Sequence, residues 1–402
     1  MNGLDANPVT PTRRELRINL IVSCLMVINP FATDMYLSSL PEIARQFHST
    51  AAQAQGTLSG FVLGMALGQL LFGPLADRFG RRGPLLAGFT LFALMSGLIP
   101  YAPDMRTLVI LRFLQGMGSC AGGAVGRAVL RDLFSGHRLT HAISVQMMIQ
   151  SAGPILAPLV GAYVYALAGW RANFFLMTVF GILCVTLIAV GLPETLDPAQ
   201  RHPAHPLATL KIFRSLLRQR DFMLPLITSA AALSALFSYL SCSPYVLLNA
   251  YHVTVQHFGW IFGAVAIAGV IAGQGNRLLV RRFTATTILT AVAPTSLAMG
   301  LLLILAATTH QLAWLLPPLT LLMTTLPLIA ANATALAMQP TAGIAGTASS
   351  LLGVLQWSCA SAISVAAVSF PNRNAYPMSV TMTLCVLAGG LAFLTWRRGH
   401  RT

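Results

Sequence analysis

Two charged side chains sit where charge is costly. Asp34 and Arg112 lie inside long apolar runs of the chain, and a charge at the bilayer centre costs about 2.5–3.5 kcal/mol on insertion scales. A carboxyl group in a low-dielectric cavity is driven toward its neutral form by desolvation and back toward its charged form by a nearby guanidinium. Poised between the two, Asp34 has the chemistry of a proton carrier and Arg112 that of a group biasing proton release. The structural alternative is an ion pair between them, or a cap near a helix end. Histidine is the usual competitor for this work. His48, His137, His141, His202, His205, His252, His257, His310 and His400 all fall in loops or at the ends of apolar runs, which favours surface positions.

The elements that must hold these residues follow from composition. Of the 402 residues, 55% are hydrophobic and 9% charged, with a mean hydropathy of +0.71. A soluble domain carries about 25% charged residues, so this chain lives in lipid. A span needs about 20 mostly apolar residues. Runs near 18–38, 53–73, 84–102, 106–127, 140–165, 172–193, 222–245, 256–276, 285–307, 312–335, 346–369 and 376–396 predict an all-α protein of twelve transmembrane helices. Pro103-Asp104, Gly169-Trp170-Arg171, Pro193-Glu194 and Pro371-Asn372-Arg373 punctuate them. Asp34 then lies about 24 Å from the start of its span at 1.5 Å per residue. Arg112 enters the fourth span from the opposite side, so the two reach similar depth and can pair or share one water-filled cavity.

The net charge of +15 could suggest nucleic acid, but the basic residues are scattered between apolar runs, with no basic face or aromatic-interleaved patch. Their placement sets topology instead, because arginine and lysine concentrate on the cytoplasmic side. One side of the predicted membrane holds Arg13, Arg14 and Arg17; Arg78, Arg81 and Arg82; Arg127, Arg131 and Arg138; Arg201, Lys211, Arg214, Arg218 and Arg220; Arg277, Arg281 and Arg282; and Arg397, Arg398 and Arg401. The other side holds Arg45, Arg106, Arg171 and Arg373. Both termini are therefore expected in the cytoplasm.

The longest polar connector, 194–221, divides the chain into a bundle over 1–193 and a bundle over 222–402. Its basic stretch from Lys211 to Arg220 reads as a short amphipathic helix lying on the membrane surface. The segment 276–282 occupies the position of 73–82 in the first half, a weak internal repeat of the kind transporters carry. The six cysteines, Cys24, Cys120, Cys184, Cys242, Cys359 and Cys385, fall in apolar runs without metal-ligand spacing, so neither a zinc site nor a disulfide framework is expected. The first apolar run is too long for a cleaved signal and reads as a retained span. No phosphate-cradling glycine loop and no metal cluster is present, so neither ATP-driven chemistry nor an enzyme is expected, and no catalytic residue is assigned.

The stretch Gly73-Pro-Leu-Ala-Asp77-Arg78-Phe-Gly80-Arg81-Arg82 reads as a loop held in water between two spans. Gly73 would permit close contact with a helix of the other half. Asp77 would cap a helix N-terminus there and, with Arg81, form a cytoplasmic latch. The string resembles the loop signature Gly-x-x-x-Asp-Arg-x-Gly-Arg-Arg/Lys of the major facilitator superfamily. Asp34-Met-Tyr-Leu-Ser-Ser-Leu-Pro41 resembles the first span of its bicyclomycin-resistance (Bcr/CflA) branch of drug:proton antiporters, with Ser38 in place of a usual proline. Arg112-Phe-Leu-Gln115-Gly116-Met-Gly118 resembles a superfamily signature ascribed to proton coupling. Gly153-Pro154-Ile-Leu-Ala-Pro158-Leu-Val-Gly161 resembles the helix-kinking antiporter motif, with Ala157 and Ala162 where glycines are common. Gly169-Trp-Arg-x-x-Phe174 and the stretch 345–353 fit the same branch.

The resemblance implies two pseudo-symmetric six-helix bundles and proton-coupled efflux of a small amphipathic drug across a bacterial cytoplasmic membrane. Asp34 and Arg112 would couple protons. Phe31, Tyr36, Gln115, Met147, Gln150, Tyr239, Tyr245 and Trp357 would be candidates for the substrate cavity. The partners would be a small molecule, protons and the bilayer, with no cofactor beyond the proton-motive force and a monomer sufficient. A metabolite carrier of the same fold (for a nucleoside, sugar, amino-acid derivative or siderophore) is the alternative. A receptor or scaffold would need a larger polar domain than 194–221.

Overall fold

The computed structural model describes residues 13–134, 136–197, 206–341, 345–370 and 374–400. The punctuation expected at Pro371–Arg373, together with Arg201, Pro198 and Pro203 of the connector, lies outside these residues. The described chain is helical: α1 (Arg13–Asp34), α2 (Leu40–Gln46), α3 (Ala51–Phe79), α4 (Arg82–Leu98), α5 (Met105–Leu133), α6 (Gly136–Ala168), α7 (Trp170–Gly191), α8 (Pro206–Leu216), α9 (Arg220–Pro244), α10 (Val255–Leu279), α11 (Ala285–Thr308), α12 (Leu312–Met338), α13 (Ala345–Ser369) and α14 (Tyr376–Gly399). Twelve helical segments are long and apolar enough to cross a membrane, the first of them α1 continued through α2.

Helix boundaries follow local chemistry. Asp104, Thr254 and Thr284 each occupy an N-cap position, with the side chain accepting the backbone N–H three residues on. Gly169 sits at φ +76° before α7. Several helices outrun the apolar runs that announce them: α5 continues to Leu133 and carries Arg131 and Asp132 beyond its run.

Helices α1–α7 pack into one bundle and α9–α14 into a second. In the first, α5 is central, packed on α1, α3 and α4; in the second, α9 is central, packed on α12, α13 and α14. The bundles meet along α3 with α13 and along α6 with α10. We call the end bearing both chain termini the base and the opposite one the far end.

Near the far end the seam is made of uncharged hydrogen bonds. Gln55 Nε2 donates to Ser241 Oγ (2.5 Å), Ser59 and Ser364 share a hydroxyl contact (3.1 Å), and Ser361 Oγ donates to the Ser59 carbonyl (3.0 Å). Toward the base, the Gln69 amide still lies against Gly353. Among the described residues nothing lies within 4 Å of where a Cβ on Gly73 would stand, so the expected close contact of Gly73 with the second half is not seen in this conformation.

Two further expectations are corrected. Most of 73–82 is not a loop: α3 stays helical through Phe79, with Pro74 inside it, and only Gly80 and Arg81 form the turn into α4. Helix hydrogen bonds satisfy the backbone there, so water is needed only by the side chains. Part of the apolar side of the connector helix α8 is turned to protein: Ile212, Phe213 and Leu216 pack on Phe222, Leu226, Leu351 and Leu352 of the second bundle. Lys211 and Arg214 stay exposed.

Candidate functional site

Asp34 is the last residue of α1, where the first span breaks into a 3₁₀ turn (Leu37–Ser39) before α2. The break has a sequence origin. Pro41 occupies the first turn of α2, where it has no N–H to give to the carbonyl four residues back, so the ladder of α1 cannot run on unbroken into α2; Pro30 lies upstream, inside α1. From α7, Asn173 Nδ2 contacts the Met35 carbonyl and Ser39 Oγ, each at 3.3 Å, tying down the interrupted backbone. Asp34 is 5% exposed, and its Oδ1 is fully buried without a hydrogen-bond partner.

The antiporter-like stretch of α6 clasps this break. Gly153 lies against the Pro30 ring, and a Cβ on Gly161 would overlap the Met35 carbonyl. Backbone cannot yield as a flexible side chain can. Gly161→Ala is therefore expected to displace α6 from the Asp34 segment, lowering stability by about 1–3 kcal/mol and reducing transport. Thermal unfolding in detergent beside a transport assay checks it, with the open-faced Gly390→Ala as control.

Arg112 does not pair with Asp34. Its guanidinium is fully buried inside the first bundle, where Nη1 donates to Gln115 Oε1 (2.5 Å) and Nη2 to the Ala32 carbonyl (3.0 Å). Aromatic faces of Tyr36 (4.2 Å), Phe61 (4.5 Å) and Phe174 (5.7 Å) surround it. Such faces attract a cation through the ring quadrupole. Gln115 passes the chain of contacts on, donating to Ser96 Oγ at 2.7 Å. Arg112 thus grips the α1 backbone two residues before Asp34 without making an ion pair with its carboxyl.

The other candidates separate into packing and open positions. Tyr36 and Gln115 are enclosed in the Arg112 shell, so they do not line an open cavity as expected. Tyr239 (1% exposed) and Tyr245 (5%) are buried in the second bundle on its first-bundle side, Tyr239 stacked on Phe262 and Tyr245 donating to the Ala51 carbonyl. Phe31 stacks on Phe180 and Trp357 meets Phe237 edge-on, each only partly buried. Met147 is exposed and within 3.1 Å of an Arg277 nitrogen, and Gln150 accepts from Gln146. Glu42 pairs with Arg45 on the rim.

At the base, Arg81 joins Asp77 (2.5 Å) and Asp132 (2.9 Å). Its backbone N–H, with that of Arg82, donates to the Glu194 carboxylate. Thr195 Oγ1 donates to Asp132. Gly80 is required there: its φ is +92° and a Cβ would strike Glu194. Burial alone would lower the Arg81 pKa, but hydrogen bonds to Asp132 and Asp77 outweigh it and raise it. Burial likewise opposes charge on Glu194, yet the N–H groups of Arg81, Leu196, Arg82 and Thr195 hold it below the usual carboxylate range.

This differs from the expected arrangement in two ways. Asp77 sits in the last turn of α3 and pairs with Arg81 instead of capping a helix N-terminus. The network joins the first bundle to the start of the connector and takes in no residue of the second bundle, so in this conformation it is not a latch between bundles. The sequence reading does not single out Asp132 and Glu194, because Asp132 lies among arginines that set topology and Glu194 follows a proline that punctuates a span. With only ten acidic residues in the chain, each one at a helix end was a usable signal.

A family model, Major Facilitator Superfamily, matches residues 22–365. An uncharacterized MFS-type transporter, YdgK of Bacillus subtilis, is 34% identical, covering 95% of this chain and 96% of its own length. A bicyclomycin resistance protein homolog of Haemophilus influenzae is 30% identical over 94% and 96% respectively. The solved structure of a D-xylose-proton symporter superposes with a TM-score of 0.71 over 95% of this chain and 97% of that one, at 16% identity, a likeness of fold. With twelve spans in two six-helix bundles and the family's loop signature at the base, the chain is a multi-pass membrane protein that belongs to the major facilitator superfamily of transporters.

Proposed function

We propose that this protein exports a small amphipathic drug-like molecule across a bacterial cytoplasmic membrane in exchange for protons. The observation that carries the reading is Asp34: a deeply buried carboxyl at a helix break, clasped by α6 and without an ion-pair partner. Such a group can take up a proton from one side and release it to the other as water access alternates. The relative named for bicyclomycin resistance supports the cargo class. Arg112 biases proton release through space. Asp77, Arg81, Asp132 and Glu194 hold the base of the first bundle as a unit while the halves 1–193 and 222–402 rock about the connector 194–221. A monomer suffices, the base faces the cytoplasm, and the proton-motive force is the only energy source.

The test is transport by purified protein in liposomes with an imposed pH gradient, using bicyclomycin, chloramphenicol and uridine as probes. Drug movement that requires the gradient and stops with a protonophore is expected, together with proton release when drug binds in detergent. Drug binding without proton release would sink antiport. Movement of uridine alone would establish the metabolite reading.

A further inference from the structure

Among the described residues, four buried oxygens without a hydrogen-bond partner occur on facing elements of the two bundles. Asp34 Oδ1 and Ser38 Oγ belong to the α1 break; Tyr239 Oη and Ser243 Oγ belong to the end of α9. The spacing is the same on both sides, four residues apart. The 3₁₀ turn Leu37–Ser39 packs directly on α9, and Tyr239 lies within electrostatic reach of the Asp34 carboxyl. The Tyr239 ring is fixed by stacking on Phe262 at 5.2 Å, so its hydroxyl is presented from the second bundle.

Most buried polar groups are paired, and leaving one unpaired costs free energy. A group of them at one junction marks a place whose bonding changes with state. We propose that Tyr239 is the residue through which the second bundle senses the proton on Asp34. When Asp34 carries its proton, the carboxyl O–H donates to Tyr239 Oη and the dry far-end seam closes. When Asp34 is charged, the seam would bury a carboxylate against a hydroxyl and apolar rings, and it opens.

The surroundings leave the hydroxyl this role. Arg112 from α5 is turned to Ala32 and Gln115. Near the break α6 presents Gly161, α7 presents Asn173, and α10 presents Phe258 and Phe262. Tyr36 in the break, Cys242 on α9 and Tyr245 beyond α9 are the other titratable groups among the described residues there, and Tyr245 is engaged with the Ala51 carbonyl. Tyr239 is therefore a positioning residue: it binds neither cargo nor a proton in transit, but links protonation to the gate. The neutral serine contacts near the far end then supply closure that Asp34 switches.

This inference rests on Asp34 as the proton carrier, and its test separates the two. Labels introduced through a non-canonical amino acid at the exposed far-end positions Arg106 and Gln311 leave the six cysteines in place and report the far-end distance by energy transfer, without any cargo. Wild type is expected to close progressively on acidification. Asp34→Asn is expected to stay closed at every pH. Tyr239→Phe keeps the stacked ring and removes only the hydroxyl; its closed-to-open ratio at acid pH is expected to fall by about five- to tenfold, the worth of one hydrogen bond. If Asp34→Asn responds to pH like wild type, the Asp34 reading fails and this one with it. If Asp34→Asn is insensitive but Tyr239→Phe closes like wild type, only the role of Tyr239 is overturned. A wild-type distance that ignores pH also overturns it.

Discussion

Asp34→Asn is expected to leave a folded transporter that no longer moves drug against its gradient at the expense of protons. Asparagine matches the shape of a protonated carboxyl but cannot release the proton, so the cycle stalls in the proton-loaded half. Stability is expected to be unchanged or raised, by up to about 2 kcal/mol, because a buried ionisable group without an ion-pair partner gives way to a neutral one. Two measurements decide it: gradient-driven drug uptake into liposomes, and drug-triggered proton release in detergent. Both are expected to fall to background while thermal unfolding keeps its wild-type shape. Retained proton release would move the carrier elsewhere. Asp77 and Glu42 would then need testing, although both are exposed and ion-paired at the two ends of the bundle.

The second large effect is expected at Arg112. Replacement by lysine keeps the charge, yet one ammonium cannot reproduce a planar group that meets Gln115, the Ala32 carbonyl and two ring faces within 4.5 Å. Arg112→Lys is expected to lose about 1–3 kcal/mol of stability, since Gln115 or Ala32 is left with a buried acceptor unsatisfied. Transport is expected to drop at least about tenfold, as the α1 backbone just before Asp34 loses its anchor. Arg45→Lys, at the exposed rim pair with Glu42, should change either quantity little, because surface ion pairs contribute about 0–1 kcal/mol. The comparison separates loss of geometry from loss of charge, which both variants preserve. If Arg112→Lys transports at the wild-type rate, the anchoring role is wrong.

Both predictions share a physical basis. Arg112 and Asp34 are each desolvated, and each meets the other's region without contact. A direct ion pair would fix the carboxylate in its charged form. The guanidinium instead meets the α1 backbone at Ala32, two residues before Asp34, which anchors the site while leaving the carboxyl free to change state.

The sequence alone determined much of this protein. Membrane residence, the twelve spans and the two bundles follow from apolar runs about twenty residues long, because lipid demands them of every spanning helix. The two intramembrane charges were equally legible, since cost makes such residues rare. The α6 motif was recognised from its glycines and prolines, but that Gly161 abuts Met35 required the fold. Only the tertiary structure showed that Arg112 turns to Ala32 and Gln115 and not to Asp34, because two residues at equal depth on different helices can face toward or away from one another. It also brought Asp132 from the end of α5 and Glu194 from the start of the connector to Arg81, and set α9 of the other bundle against the turn that follows Asp34. Periodicity and composition act along the chain and report burial and length. Partnership between side chains distant in sequence depends on helix rotation and crossing, which packing of the whole molecule decides.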